Sequence, residues 1–395
     1  MKTFRYLVLL AAFRATRSIA AGMISIAFPY LILTTLHKSP LILGLLYIAG
    51  AVATAGLGLL AGFLADVWGQ KKTLFLVGLL LPLSAAAVFA STSLWALFFA
   101  SAVGGYSATG SLTGGGVGGA AQPIQIVALA HLTTPEERTS VLSLFTFMSG
   151  AFAALGALSA RAFNVHNVFL AAALIAFAGL ACVFPIYFQE YRGNPRRLHS
   201  LRVIGKFTVT GALNGFAAGL IMPFLIPFFV IVYHVPESQM SVYGFIAGAL
   251  ASTALLLAPR MERLWGFVNM IGITRGVGIV LLLLLPLTHF FPLALCIYFV
   301  TPALRVVAMP VQQSAITEFV NFDEVGRALG LNQIARLTSS SGAIAFTGYM
   351  FDIAEIGLPF YVYAVIMALN IALYFRFFKP LENRKSRQPE IPDPG

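Results

Sequence analysis

The sequence predicts an all-α integral membrane protein of twelve transmembrane helices, arranged as two pseudo-symmetric six-helix bundles. Three observations carry this. The 395 residues are 59% hydrophobic and only 10% charged, where a soluble domain runs near 25% charged. Apolar runs recur along the whole chain, many of about 18 residues or more, enough to cross about 30 Å of hydrocarbon as helices. The two halves of the chain also repeat one another. Lipid offers no partner to a bare backbone, so such runs satisfy their amides as helices. A membrane β-barrel would instead alternate over roughly ten-residue segments, and that pattern is absent.

In order, the spans read as 6–34, 41–65, 72–91, 94–131, 139–161, 167–188, 205–233, 239–259, 268–289, 292–318, 327–350 and 355–378. Lys2 and Arg5 precede the first apolar run, a pattern that invites a signal-peptide reading. That run is too long for one, contains Arg14 and Arg17, and has no clear cleavage site, so it reads as a retained first span. Grouping the spans gives a first bundle over 1–188, an inter-bundle loop over 189–204, a second bundle over 205–380 and a disordered polar tail over 381–395. The tail is short of apolar residues and rich in charge and proline, which leaves nothing to bury.

The net charge of +11 could point to nucleic acid, but the positions of the charges argue against it. Eighteen of the 25 lysines and arginines fall in the tails and even-numbered turns or at the span ends beside them; the opposite loops hold only Lys38 and Arg161. Such asymmetry is the positive-inside pattern. It places the chain as a multi-pass protein of the cell (inner) membrane with both termini cytoplasmic. The basic cluster around residues 192–206 then sits beside anionic lipid headgroups. Cys182 and Cys296 both lie in apolar spans and support neither a disulfide framework nor a metal site.

A shift of 197 residues lays Ala21-Gly22-Met23-Ile24 on Ala218-Gly219-Leu220-Ile221, Trp68-Gly69 on Trp265-Gly266 and Arg17 on Asn214. A shift of 187 lays Pro123 on Pro310, Gln125 on Gln312 and residues 134–144 on 321–331. The first half therefore carries about ten extra residues, and the glycine-rich stretch 104–119 is the place for them. Two six-span halves in one orientation are the parallel-repeat plan of a transporter, with the solute site near the midplane.

The stretch Gly62-Phe63-Leu64-Ala65-Asp66-Val67-Trp68-Gly69-Gln70-Lys71-Lys72 resembles the signature loop of the major facilitator superfamily, G-x-L-A-D-R-x-G-R-K-x. The resemblance extends over nearly the whole chain. It implies that Gly62, Asp66, Gly69, Lys71 and Lys72 form a gating motif, with Asp66 holding the halves together in the outward-facing state. It also implies that spans 1, 4, 7 and 10 surround the cavity. Val67 and Gln70 depart from the pattern, where basic residues are usual, and thin the gate's charge network. Ser101 stands where many proton-coupled members carry an arginine. Span 5 has Gly150 and Gly156 but not the proline of the drug–proton antiporter motif.

The buried charges are of one sign. No Asp or Glu lies in the central part of a span, while Arg14, Arg17, Arg275, Arg305 and Arg336 do. An arginine at the bilayer centre costs roughly 2.5–3.5 kcal/mol on the gentlest scale, so each needs a partner or an exit. Arg14 is close enough to the membrane surface to snorkel, and Arg275, on a span that is peripheral by resemblance, is expected to do so. Arg17 and Arg305 lie deeper. With Arg14, Asn214, Gln125 and Gln312 they are the candidate solute-binding residues; the alternative for the amides, and the commoner fate of such residues, is to tie two helices together. Asn332, Gln333 and Arg336 read as gate or packing groups.

Titratable carboxylates and histidines, the usual proton carriers, are missing from the spans: all six histidines lie at span ends or in loops. Gly114-Gly115-Gly116-Val117-Gly118-Gly119 fits the dinucleotide pattern but follows an apolar helix rather than a strand, so it reads as a packing face or kink. No phosphate loop, metal helix or nucleophile elbow is present. These features predict a secondary transporter, not an enzyme, moving a small organic solute, anionic or amphipathic, by rocker-switch alternating access. No cofactor, metal or nucleic acid is expected, and the protein is expected to act as a monomer among membrane lipids. Broad-specificity multidrug efflux is the alternative. A polytopic enzyme on lipid-linked substrates is a remote one, since it would need an acidic or histidine cluster at a membrane face.

Overall fold

The computed structural model describes residues 2–106, 135–186, 200–320 and 324–385. Their secondary structure is helical. The first half holds α1 (Lys2–Tyr30), α2 (Pro40–Trp68), α3 (Gln70–Ala90), α4 (Leu94–Gly104), α5 (Pro135–Ala160) and α6 (Val165–Leu180). The second half holds α7 (Leu201–Ile221), α8 (Leu225–Tyr233), α9 (Glu237–Ala254), α10 (Ala258–Trp265), α11 (Phe267–Leu284), α12 (Phe291–Phe319), α13 (Val325–Asp352) and α14 (Leu358–Lys385).

Among the described residues, nine helical stretches are long and apolar enough to cross a membrane, and Leu94–Gly104 and Leu144–Ala160 are shorter apolar helices. With α13, which carries span 11, they make the expected twelve. Large apolar side chains face outward, among them Val365 at 69% exposure and Leu174 and Phe177 at 61%. Water would penalise so broad an apolar surface, whereas lipid accommodates it.

Helix ends follow local chemistry. Pro40 opens α2 at a position whose N–H has no helical partner anyway. Ser93 Oγ accepts from Ala96 N at the start of α4. Pro223 interrupts span 7 with a short 3₁₀ turn between α7 and α8. Two expectations change. In span 4, expected over 94–131, the helix α4 ends at Gly104, where Gly105 takes a left-handed conformation (φ +65°), and residues 107–131 lie outside the described residues. The helix α14 runs to Lys385, so residues 381–385 are helical where a tail was expected. Glu382 there pairs with Lys379 and accepts from Val268 N at the head of α11.

The internal repeat holds at the level of backbone geometry. Gly69 (φ +89°) and Gly266 (φ +75°) each end one helix and begin the next, through Gly69 N to Ala65 O and Gly266 N to Glu262 O. His37 and His234, also 197 residues apart, are both left-handed. The turns they occupy close with matching bonds, Lys38 N to Ile32 O and Val235 N to Phe229 O. Helix pairing repeats too: α1 packs on α5 and α6 as α7 packs on α13 and α14.

The two bundles meet where α2 runs along α13 and α5 along α9. Close contact is found at the end away from the termini. Tyr30 OH donates to Val235 O at 2.6 Å, and a Cβ built on Gly44 would lie 3.3 Å from Gly348 Cα. Toward the terminus-bearing end, a Cβ on Gly56 or Gly58 of α2, or on Gly330 of α13, meets nothing within 4 Å among the described residues. The α2–α13 seam is thus tight at one end and, among the described residues, open at the other, whereas α5 stays in contact with the turn at Leu255–Leu257 that follows α9.

Candidate functional site

One cavity inside the second bundle collects most of the buried cationic groups. It is lined by α7, α11, α12, α13 and α14 and measures about 40 Å³, room for about three waters at roughly 10–15 Å³ each. Arg275, Arg305 and Arg336 line it, with Asn214, Gln312 and Tyr363. Its remaining wall is Thr274, Thr301, small residues, Leu304 and three methionines. Among the described residues no carboxylate faces it.

Each arginine arrives from a different helix. Arg275 on α11 is only 7% exposed; it donates to Asn370 Oδ1 on α14 and more distantly, at 3.5 Å, to Gln312 Oε1 on α12. Its guanidinium also lies 4.5 Å from the centroid of the Tyr374 ring, a geometry that stabilises a desolvated cation by up to about 2 kcal/mol. The expected snorkelling of Arg275 is therefore corrected: neutral dipoles and an aromatic face inside the bundle supply what the headgroups would have. Asn370 is itself held by its Nδ2, which donates to Thr210 O at 2.7 Å.

The other donors are left over. Arg305 Nη1, Arg336 Nε and Gln312 Nε2 are buried without a hydrogen-bond partner. Arg336 spends one nitrogen on Gln333 Oε1 at a long 3.4 Å. A buried donor left unmade costs about 1–3 kcal/mol, more when charged, and three like charges around a small cavity repel one another. An arrangement of this kind favours an acceptor of negative charge.

The remaining expected residues are placed elsewhere. Arg17 is 5% exposed, donates to Gly78 O on α3 at 2.7 Å and lies 5.5 Å from the Phe13 ring centroid, inside the first bundle. Under the 197-residue shift Gly78 is the counterpart of Arg275, as Arg17 is of Asn214. Each bundle thus places one arginine at an equivalent junction, from the first helix of one half and the third helix of the other. Arg14 is buried on α1. Gln125 lies outside the described residues, as do the surroundings of Gly62 and Asp66. Gly69 forms the turn already described, and Lys71 donates to Phe184 O. Lys72 is exposed. Ser101 donates to Leu46 O at 2.7 Å, tying α4 to α2, and Asn332 donates to Phe207 O at 2.6 Å, tying α13 to α7.

Sequence reasoning passed over Asn370 and the inward aim of Arg275. The signal for Asn370 was present, since an amide in the apolar run YVYAVIMALNIALYF needs a partner inside the protein.

The family model described as Major Facilitator Superfamily matches residues 10–343. The chain belongs to this superfamily. No curated protein matches it by sequence. Solved structures with the same fold include the nucleoside transporter NupG, at 12% identity and a TM-score of 0.76 over 94% of this chain and all of that one. The human organic anion transporter MFSD10 is similar at 13% identity and 0.71, covering 95% and 100%. A bacterial homologue of the human lysosomal transporter Spinster, in an inward-facing and unoccupied conformation, is similar at 14% and 0.74, covering 95% and 96%. At such identities the likeness is one of fold. Membership of the superfamily makes the chain a multi-pass membrane transporter rather than an enzyme.

Proposed function

We propose that this protein carries a small organic solute of anionic or amphipathic character, by rocking its two bundles about a central site. The observation that supports the anionic reading most is the cavity with three arginines and no carboxylate among the described residues. Arg305, Asn214 and Gln312 are the proposed solute contacts of the second half, and Gln125 is the proposed counterpart of Gln312 in the first. Arg14 and Arg17 are the buried cations that the first half offers; Arg17 contributes once its bond to the Gly78 carbonyl opens. The open end of the α2–α13 seam lies on the side of both termini, so with cytoplasmic termini we read this as an inward-facing state. Closing that end around the signature loop and opening the end at Tyr30 completes the cycle.

Flux into proteoliposomes tests this reading. Small organic anions are expected to enter, with Arg305→Ala lowering uptake at least tenfold, and an imposed pH gradient is expected to change the rate little. Tight binding of organic cations that is indifferent to Arg305→Ala would instead establish broad drug efflux, a reading that Met222, Met309 and Met367 in the cavity wall also suit.

A further inference from the structure

We infer that the second bundle contains its own small-anion site, lined by Arg275, Arg305, Arg336 and Gln312, that binds a halide, nitrate or a single carboxylate group. It shares Arg305 and Gln312 with the proposed solute site and to that extent rests on the same reading. It adds two residues and a location inside one bundle.

Size comes first. The cavity, of about 40 Å³ and partly open, takes an ion, or the one ionised group of a larger molecule, between its walls. Chemistry comes second. Gln312 is 6% exposed; its Oε1 faces Arg275, which leaves Nε2 without a partner. Arg305 Nη1 and Arg336 Nε are unpartnered as well. These three orphan donors belong to residues on α12 and α13 lining one space, so an anion there gains charge-assisted bonds from two helices. Arg275 differs: Asn370 and Tyr374 hold it in place, so it supplies field and a fixed wall.

The helices themselves give the site a role. The partner of Arg275 is on α14, and Asn370 continues to the backbone of α7 at Thr210. An anion at the cavity therefore completes a polar chain across α7, α11, α12, α13 and α14 and neutralises the repulsion that would spread them.

Equilibrium binding tests the inference without any flux. The full-length protein, purified in detergent in sodium gluconate at fixed ionic strength, is titrated with chloride, nitrate or acetate. Labelled chloride retention and the thermal unfolding midpoint are both read. Chloride and nitrate are expected to bind saturably and raise the midpoint. Arg305→Gln and Arg336→Gln are expected to weaken binding at least tenfold, and Arg161→Gln, exposed in the opposite loop, to leave it unchanged. Gln312→Leu removes a free donor without altering charge, and it gives the answer should an arginine variant misfold. Benzoate distinguishes the source. Competitive displacement of chloride marks the anionic end of a solute, whereas its failure marks an ion resident in the bundle. Equal stabilisation in gluconate and chloride, or an undiminished response in both Arg305→Gln and Gln312→Leu, would overturn the site. Because no transport is read, a failed uptake experiment leaves this result standing, and the converse holds.

Discussion

Arg275 is the residue whose surroundings decide most. Its charge is neutralised by no acid among the described residues, yet Asn370 Oδ1, Gln312 Oε1 and the Tyr374 ring surround it. Removing one of these leaves a buried cation short of a partner. Asn370→Ala is therefore expected to destabilise the protein by about 1–3 kcal/mol, seen as a lower thermal midpoint in detergent. Asn370→Asp keeps an acceptor beside the guanidinium but sets a carboxylate oxygen against Thr210 O in place of the Nδ2 donor, so its midpoint is expected to lie between those of the wild type and Asn370→Ala. If both substitutions were neutral, Asn370 would not be the group that holds Arg275.

Helices pack here by small residues more than by bulk. Gly211, Gly215 and Gly219 of α7 press one after another on Asn332, Arg336 and Ser340 of α13, at a spacing of four that keeps them on one face. The first bundle uses the same device, with Gly22 against Ala153 and Gly156 against Ile19. Gly215→Ala drives a methyl into the α13 backbone and is expected to cost about 1–3 kcal/mol. Gly205→Ala, with open space around it, is expected to be neutral or stabilising by up to about 1 kcal/mol. The paired thermal midpoints check this. Gly69 and Gly266 form a second comparison. Both adopt an extended, positive-φ backbone that other residues reach only at about 1–3 kcal/mol. Alanine at either turn is expected to lower the midpoint by a similar amount, as pseudo-symmetry requires.

At the scale of the molecule, the two bundles hold together at one end through contacts that another state must break. Tyr30 OH to Val235 O is one hydrogen bond that crosses them there. Tyr30→Phe removes about 1 kcal/mol from the closure, which is about fivefold in the ratio of two states. Spin labels at Gly58→Cys and Gly330→Cys, in a background of Cys182→Ser and Cys296→Ser, read the opposite end by pulsed distance measurement. The short-distance population is expected to rise about fivefold in Tyr30→Phe, and an unchanged distribution would remove this bond from the closure.

By itself the sequence determined the membrane class, the twelve spans, the two-fold repeat, the superfamily and the excess of buried positive charge. These are local or periodic properties: apolar length, charge position and a shift of 197 residues are visible along a line. Tertiary structure alone decided which cations meet. Arg275 looked peripheral because its span did, yet side-chain direction on the helix, not the position of the helix, aims it at Asn370 and Gln312. Arg17 looked central for the same kind of reason, and a carbonyl on α3, 61 residues away, holds it inside its own bundle. Orphan donors are equally invisible in sequence, since a donor is orphaned only by what surrounds it in space. The buried arginines were legible one by one; their convergence on one small cavity is a product of five helices packing together.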